Sequence, residues 1–124
     1  MQITQELPDF RYLCRGVSAG GVLVNERELR ASFLLTPNEL VEDWPLAALP
    51  AADETHWQAV LALQPALFIL GTGAVQTFPD PKQLAFFLQR GIGFEIMNNA
   101  AAARTFNILA QEGRNVVAGF LLAQ

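Results

Sequence analysis

Apolar and polar side chains follow three rhythms along this chain. From Glu28 to Leu35 they alternate, with Leu29, Ala31, Phe33 and Leu35 on one face and Glu28, Arg30 and Ser32 on the other. That period of two predicts a strand with one solvated face. It follows the short β-type run Val22-Leu23-Val24, and Asn25-Glu26 or Glu26-Arg27 supplies the turn of an antiparallel hairpin. A weaker alternation through Phe10, Tyr12 and Cys14 leads toward the same hairpin. Thr36-Pro37 stops it, and Asn38 to Ala52 reads as a loop broken by Pro45 and Pro50, with Trp44 as its anchor.

The second rhythm is helical. Asp53 or Thr55 caps a helix that reaches about Gln64, with Trp57, Val60 and Leu61 spaced as a core-facing stripe. Asp80-Pro81 pairs an N-cap residue with proline at the first helical position, and Leu84, Phe87 and Leu88 form the stripe that follows. Asn98 or Asn99 caps a further helix over Ala100 to Glu112, ended by Gly113. On its wheel Ala102, Phe106, Leu109 and Gly113 share one face, and Ala100, Arg104, Asn107 and Gln111 the opposite one. The third rhythm is continuous: Ala66–Leu70 reads as a strand buried on both faces, and Ile92–Met97 and Val116–Leu122 read as further strands.

Strand, helix, strand, helix, strand in the second half argues for largely parallel pairing with helices packed on a sheet. The expected fold class is therefore α/β. It is a single three-layer domain over residues 1–124, with a mixed central sheet and an N-terminal antiparallel hairpin. The length of 124 residues suits one core.

Composition narrows the function classes. Apolar residues make up 52% of the chain and charged residues 16%, too apolar and too sparsely charged for disorder. A net charge of −4 without a basic stripe excludes a nucleic-acid footprint. A single Cys rules out a disulfide framework. No apolar run approaches the ~20 residues of a membrane-spanning helix. The first residues carry no signal-peptide pattern, so the expected place is the cytoplasm. The charge is uneven: residues 1–62 carry four arginines and nine acids, and residues 63–124 four bases and three acids. Glu39, Glu42, Asp43, Asp53 and Glu54 lie in Thr36–Thr55, which has no basic residue. That segment is a solvated loop or a partner-facing acidic surface.

Candidate chemistry is thin. Gly71-Thr72-Gly73 after a buried strand suggests a phosphate loop, but Gln76 stands where a dinucleotide fingerprint needs a third small residue, and no Gly-Lys-Ser/Thr follows. The glycines read as a tight strand exit or as the lining of a crevice at the strand ends. Arg104 lies near the start of its helix, where a cation opposes the dipole. It answers either to an acid, with Glu95 or Glu112 in reach, or to an anion or partner. His56 is the sole histidine, and neither Cys14 nor Ser32 sits in a nucleophile's setting beside it. One His and one Cys do not make a transition-metal site, and no cofactor is implied.

Two spaced motifs carry a resemblance. Leu67-Phe68-Ile69-Leu70 runs into Gly71-Thr72-Gly73, and Ala103-Arg104-Thr105-Phe106-Asn107-Ile108-Leu109 is followed by Glu112-Gly113-Arg114-Asn115-Val116. In these the chain resembles the family that holds the mitochondrial respiratory complex I assembly factor 3, an adipogenesis-associated mammalian protein and many bacterial and archaeal members. The resemblance implies a three-layer α/β fold and no established catalysis. It also implies work through protein contacts that help membrane-associated complexes assemble. Asn98-Asn99 departs from the Asp-Thr usual there, and no organellar targeting pattern precedes the motifs.

Two readings of function follow. One is a non-catalytic partner-binding module, an accessory or assembly factor for a respiratory or membrane-associated complex, with a homo-oligomer left open. Its candidate contacts are Gly71, Thr72, Gly73, Arg104, Thr105, Asn107, Glu112 and Arg114. The other is a small-ligand or anion binder, or an enzyme, that uses the Gly71–Gly73 crevice with Arg104 or Arg114 as its charge.

Overall fold

A computed structural model describes residues 10–122. Among these, the elements run β1 (Cys14–Ser18), β2 (Gly21–Val24), β3 (Arg27–Leu29), β4 (Phe33–Leu35), β5 (Leu40–Val41), α1 (Glu54–Leu61), β6 (Leu67–Gly71), α2 (Pro81–Leu88), β7 (Gly93–Met97), α3 (Asn99–Gln111) and β8 (Val116–Phe120). β1, β2 and β3 form a small antiparallel meander, and the other strands form a mixed sheet in the order β5-β4-β8-β6-β7. β6 pairs in parallel with both β7 and β8, while β8 meets β4 antiparallel.

The layers follow from the two cores. On one face of the large sheet, Phe33, Leu35, Ile69 and Phe120 meet Val22, Val24 and Leu29 of the small sheet and Ala102, Phe106 and Ala110 of α3. Alanines on α3 let that helix lie close to the strands. On the other face, Trp57 of α1 and Phe87 of α2 cover Phe68, Leu70 and Val117. Trp57 sits at the centre of an aromatic cluster, with ring centroids 5.4 Å from Phe87, 6.0 Å from Phe68 and 6.5 Å from Trp44. Edge-to-face pairs of this kind add about 0.5–1.5 kcal/mol each beyond their buried area. The three-layer α/β class and the mixed sheet agree with the sequence.

The return strand is different from its reading. Glu28–Leu35 is not one strand: it splits at Arg30–Ser32 and passes from the small sheet into the large one. Ser32, assigned to the solvated face, is buried, and its hydroxyl accepts the Leu122 N–H at 2.8 Å. Phe33, Leu34 and Leu35 are all buried because β4 lies between β5 and β8 with both faces covered. The loop after it holds β5 and a short 3-10 turn at Leu49–Ala51. Trp44 does anchor that loop, buried with its indole N–H donated to the His56 carbonyl at 3.0 Å.

The helix starts match the sequence. Asp53 caps α1, Asp80 caps α2 ahead of Pro81, and Asn98 caps α3 by accepting the Ala101 N–H at 2.8 Å. One stripe shifts: Leu88 is exposed although Phe87 is buried. α3 buries Ala102, Ala103, Phe106 and Ala110, with Leu109 partly buried against the same core.

Candidate functional site

β6 is buried because parallel strands flank it and helices cover both faces. Its chain leaves the sheet at Gly71 and Thr72. The connection to β7 runs over one face through α2, and the connection from β7 back to β8 runs over the other through α3. β7 and β8 thus lie on opposite sides of β6, and the carboxyl ends of β6 and β8 form a topological switch point. In open α/β sheets, ligand crevices fall at such points.

A knot of hydrogen bonds holds this end closed, and Asn99 is its centre. Its side-chain oxygen accepts the Gly73 N–H at 3.1 Å, its amide NH₂ donates to the Leu121 carbonyl at 3.1 Å, and its own N–H donates to the Gly73 carbonyl at 2.8 Å. The Leu121 N–H in turn donates to the Gly71 carbonyl at 2.9 Å. Asn99 is 4% exposed; its bond to the Leu121 carbonyl is buried and its bond from the Gly73 N–H part-buried. A Cβ on Gly71 would collide with the Asn99 side-chain oxygen, which explains the glycine. Gly73 takes φ +98°, a conformation other residues avoid. The Thr72 hydroxyl donates to the Val75 carbonyl at 2.8 Å and accepts the Thr77 N–H at 3.0 Å, which folds the exit loop on itself.

Open clefts flank the knot. One, of about 550 Å³, lies between Leu49-Pro50 and Phe78–Asp80, and another of about 550 Å³ lies between Val17–Ala19 and Asn98–Ala100; Thr72 and Leu121 line both. No Arg, Lys or His among the described residues lines either cleft.

The remaining motif residues lie elsewhere. Asn107 is half-buried at the edge of the small sheet, where its amide accepts the Cys14 N–H at 2.8 Å and donates to the Cys14 carbonyl at 2.7 Å. It completes the edge of β1 as another strand would and docks α3 there. Thr105 is half-buried on the same helix. Arg104 is exposed, and among the described residues it forms no ion pair with Glu95, Glu112 or any other acid. Glu112 and Arg114 are exposed at the far end of α3, about 20 Å from Asn99 at 1.5 Å per helical residue. Arg114 lines a separate cleft of about 400 Å³ with Glu39 and Asn115. Gly71, Thr72 and Gly73 thus form one group, and Glu112 and Arg114 another.

Asn99 is the residue that sequence reasoning missed as a functional part of this end. The signal was present in Asn98-Asn99: one asparagine caps the helix, so the second, next to a strand-exit glycine, was free for another task.

The groups with intrinsic reactivity are committed to the fold. The His56 ring accepts the Asp53 N–H at Nδ1 (3.1 Å) and places Nε2 3.1 Å from the Pro45 carbonyl, joining helix cap to loop. Burial pushes the Cys14 thiol up to about 12, so it stays protonated and unreactive near neutral pH. Among the described residues, no group of His, Cys, Asp and Glu is placed to hold a metal ion.

These features define a three-layer α/β protein with a switch-point crevice and no assembled catalytic constellation among its described residues. The chain belongs to the family described as protein of unknown function (DUF498/DUF598), whose model matches residues 14–121. It is similar to a solved structure from Xanthomonas campestris, with 49% identity and a TM-score of 0.84, covering 98% of this chain and 92% of that one. It is 29% identical over 99 residues to the bovine NADH dehydrogenase [ubiquinone] 1 alpha subcomplex assembly factor 3, covering 78% of this chain and 53% of that protein. The chain therefore spans about half the length of the bovine relative. It is 24% identical over 98 residues to a "13 kDa major membrane protein" of Francisella tularensis subsp. holarctica (strain LVS), covering 78% of this chain and 80% of that one. No helix among the described residues is long and apolar enough to cross a membrane.

Proposed function

We propose that this protein is a non-catalytic protein-interaction module, an accessory or assembly factor that works from the cytoplasm on a larger membrane-associated complex. The observation that carries the reading is the state of Arg104. A guanidinium in the first half of an alanine-rich helix, exposed and without an ion-pair partner among the described residues, gives this fold nothing that its neighbours need. Arginine is enriched among residues that dominate binding at protein interfaces. Kinship with a bovine assembly factor supports the same reading, and the kinship with a bacterial membrane protein supports a complex at the membrane.

The contact surface we assign runs along the exposed side of α3 through Arg104 to Glu112 and Arg114. Gly71–Gly73 and Asn107 hold its shape through their bonds and close contacts with Asn99 and Cys14, and half-buried Thr105 lies between Arg104 and Phe106 on the same helix. The test is affinity capture of the tagged chain from its own cells, with captured proteins quantified for wild type and Arg104→Ala. A partner enriched by wild type and reduced about tenfold by the variant is the expected result. Identical capture by both would overturn the assignment.

A further inference from the structure

We propose that the carboxyl end of the five-stranded sheet is a docking trough for an extended, positively charged peptide segment of a partner protein. This rests on the module reading and names its second contact.

The shape comes first. A third cleft, of about 300 Å³, lies between Ser32 and the Glu42–Leu46 stretch, beside the two that flank Thr72. Ala47 lines all three, and Leu121 or Leu122 lines each. They therefore lie side by side around Ala47, across the ends of β6 and β8. A small-molecule site encloses most of its ligand in a single cavity. A row of adjacent open clefts instead suits a segment laid across it.

The chemistry of the walls selects the segment. Phe78 is 76% exposed where it lines the first cleft. Large apolar side chains held out to water at the edge of a groove are the mark of a contact surface. The charged residues that line the trough are Glu42, Asp43 and Asp80, and no cation joins them among the described residues. Glu42 is neutralised by Arg27 at 2.7 Å. Asp43 and Asp80 remain, one in each of two neighbouring clefts. Residues 42–50 of the acidic segment line the clefts on one side. Anionic ligands are repelled here, and a segment that places Lys or Arg beside a large apolar residue matches both features.

The probe is a random dodecapeptide phage library panned on the immobilised full chain. Enriched peptides are expected to carry Lys or Arg next to Leu, Phe or Trp. A synthetic peptide of the enriched sequence is expected to bind at least tenfold more weakly to Ala47→Arg and to the Asp43→Lys/Asp80→Asn pair. Ala47 and Asp43 are exposed, and asparagine keeps the cap that Asp80 gives α2, so these variants keep the fold, and an unchanged thermal midpoint verifies it. No enrichment, enrichment of acidic peptides, or binding indifferent to both variants would overturn the proposal. So would stabilisation by small phosphates or carboxylates that Ala47→Arg abolishes, or a dimer that Ala47→Arg dissolves. Cellular capture lost in Arg104→Ala but untouched by Ala47→Arg would defeat the trough and leave the module reading standing. Loss of the module reading shows separately, as capture that neither variant changes.

Discussion

Asn99 and Arg104 are five positions apart on one helix and belong to different parts of the protein's economy. Asn99 is buried, and both ends of its amide are bound to backbone at the strand exits. Arg104 reaches into solvent with no acid to answer it among the described residues. One is needed for the fold to close, and the other can be removed without leaving a polar group stranded. The family motif mixes both kinds, since Asn107 is tied to Cys14 while Glu112 and Arg114 are exposed. A motif in this chain therefore marks shape as often as contact, and only geometry separates them.

The comparison breaks first at Gly71. Gly71→Ala drives a methyl group into the Asn99 side chain and against Ala102, and it is expected to cost about 3 kcal/mol in urea unfolding. Combining it with Asn99→Ala is expected to recover part of that loss, a non-additive pair that shows the two share one space. Asn99→Leu alone leaves the part-buried Gly73 N–H and the buried Leu121 carbonyl unmatched. The expected cost is about 2–3 kcal/mol by the same measurement. Asn107→Ala, half-buried, is expected to cost about 1–2 kcal/mol, and hydrogen exchange should quicken at Cys14–Ser18 before the large sheet responds. An Asn107 variant that leaves exchange in β1 unchanged would mean that α3 is docked by its apolar contacts alone.

Cys14 gives the comparison a pH axis. Its folded thiol sits at about 12 against an ordinary value of 9.0, because burial disfavours the thiolate. The unfolded chain releases that proton first, so stability is complete below about 9 and declines as pH rises toward 12. Cys14→Ala should flatten that decline in urea midpoints, and native Cys14 should resist iodoacetamide at pH 8 until the chain is unfolded. The smallest effect belongs to Arg104→Ala, which is expected to change stability by less than about 0.5 kcal/mol.

Much of the fold was legible because local chemistry settles it. Asp80-Pro81 can hardly be anything but a helix start, and Leu67–Leu70 is too apolar for an exposed strand. The split of Glu28–Leu35 was not legible. Its alternation continues unbroken through Arg30–Ser32, and the break is imposed from far along the chain, by β8, which pairs with β4, and by Leu122 just after it, whose N–H donates to the Ser32 hydroxyl. The site divides in the same way. Gly71-Thr72-Gly73 announces a special backbone, but what presses on it is Asn99, 28 positions later. Asn107 falls on the polar side of its wheel and looks solvated. The wheel cannot show that a strand edge lies alongside.

The exposed motif side chains are assigned to a partner and the buried ones to the fold. The most direct test captures partners with Arg104→Ala beside wild type and records the urea midpoint of each. The expected result is capture reduced about tenfold at an unchanged midpoint. Full capture by Arg104→Ala, or loss of capture only in step with loss of stability, would contradict it.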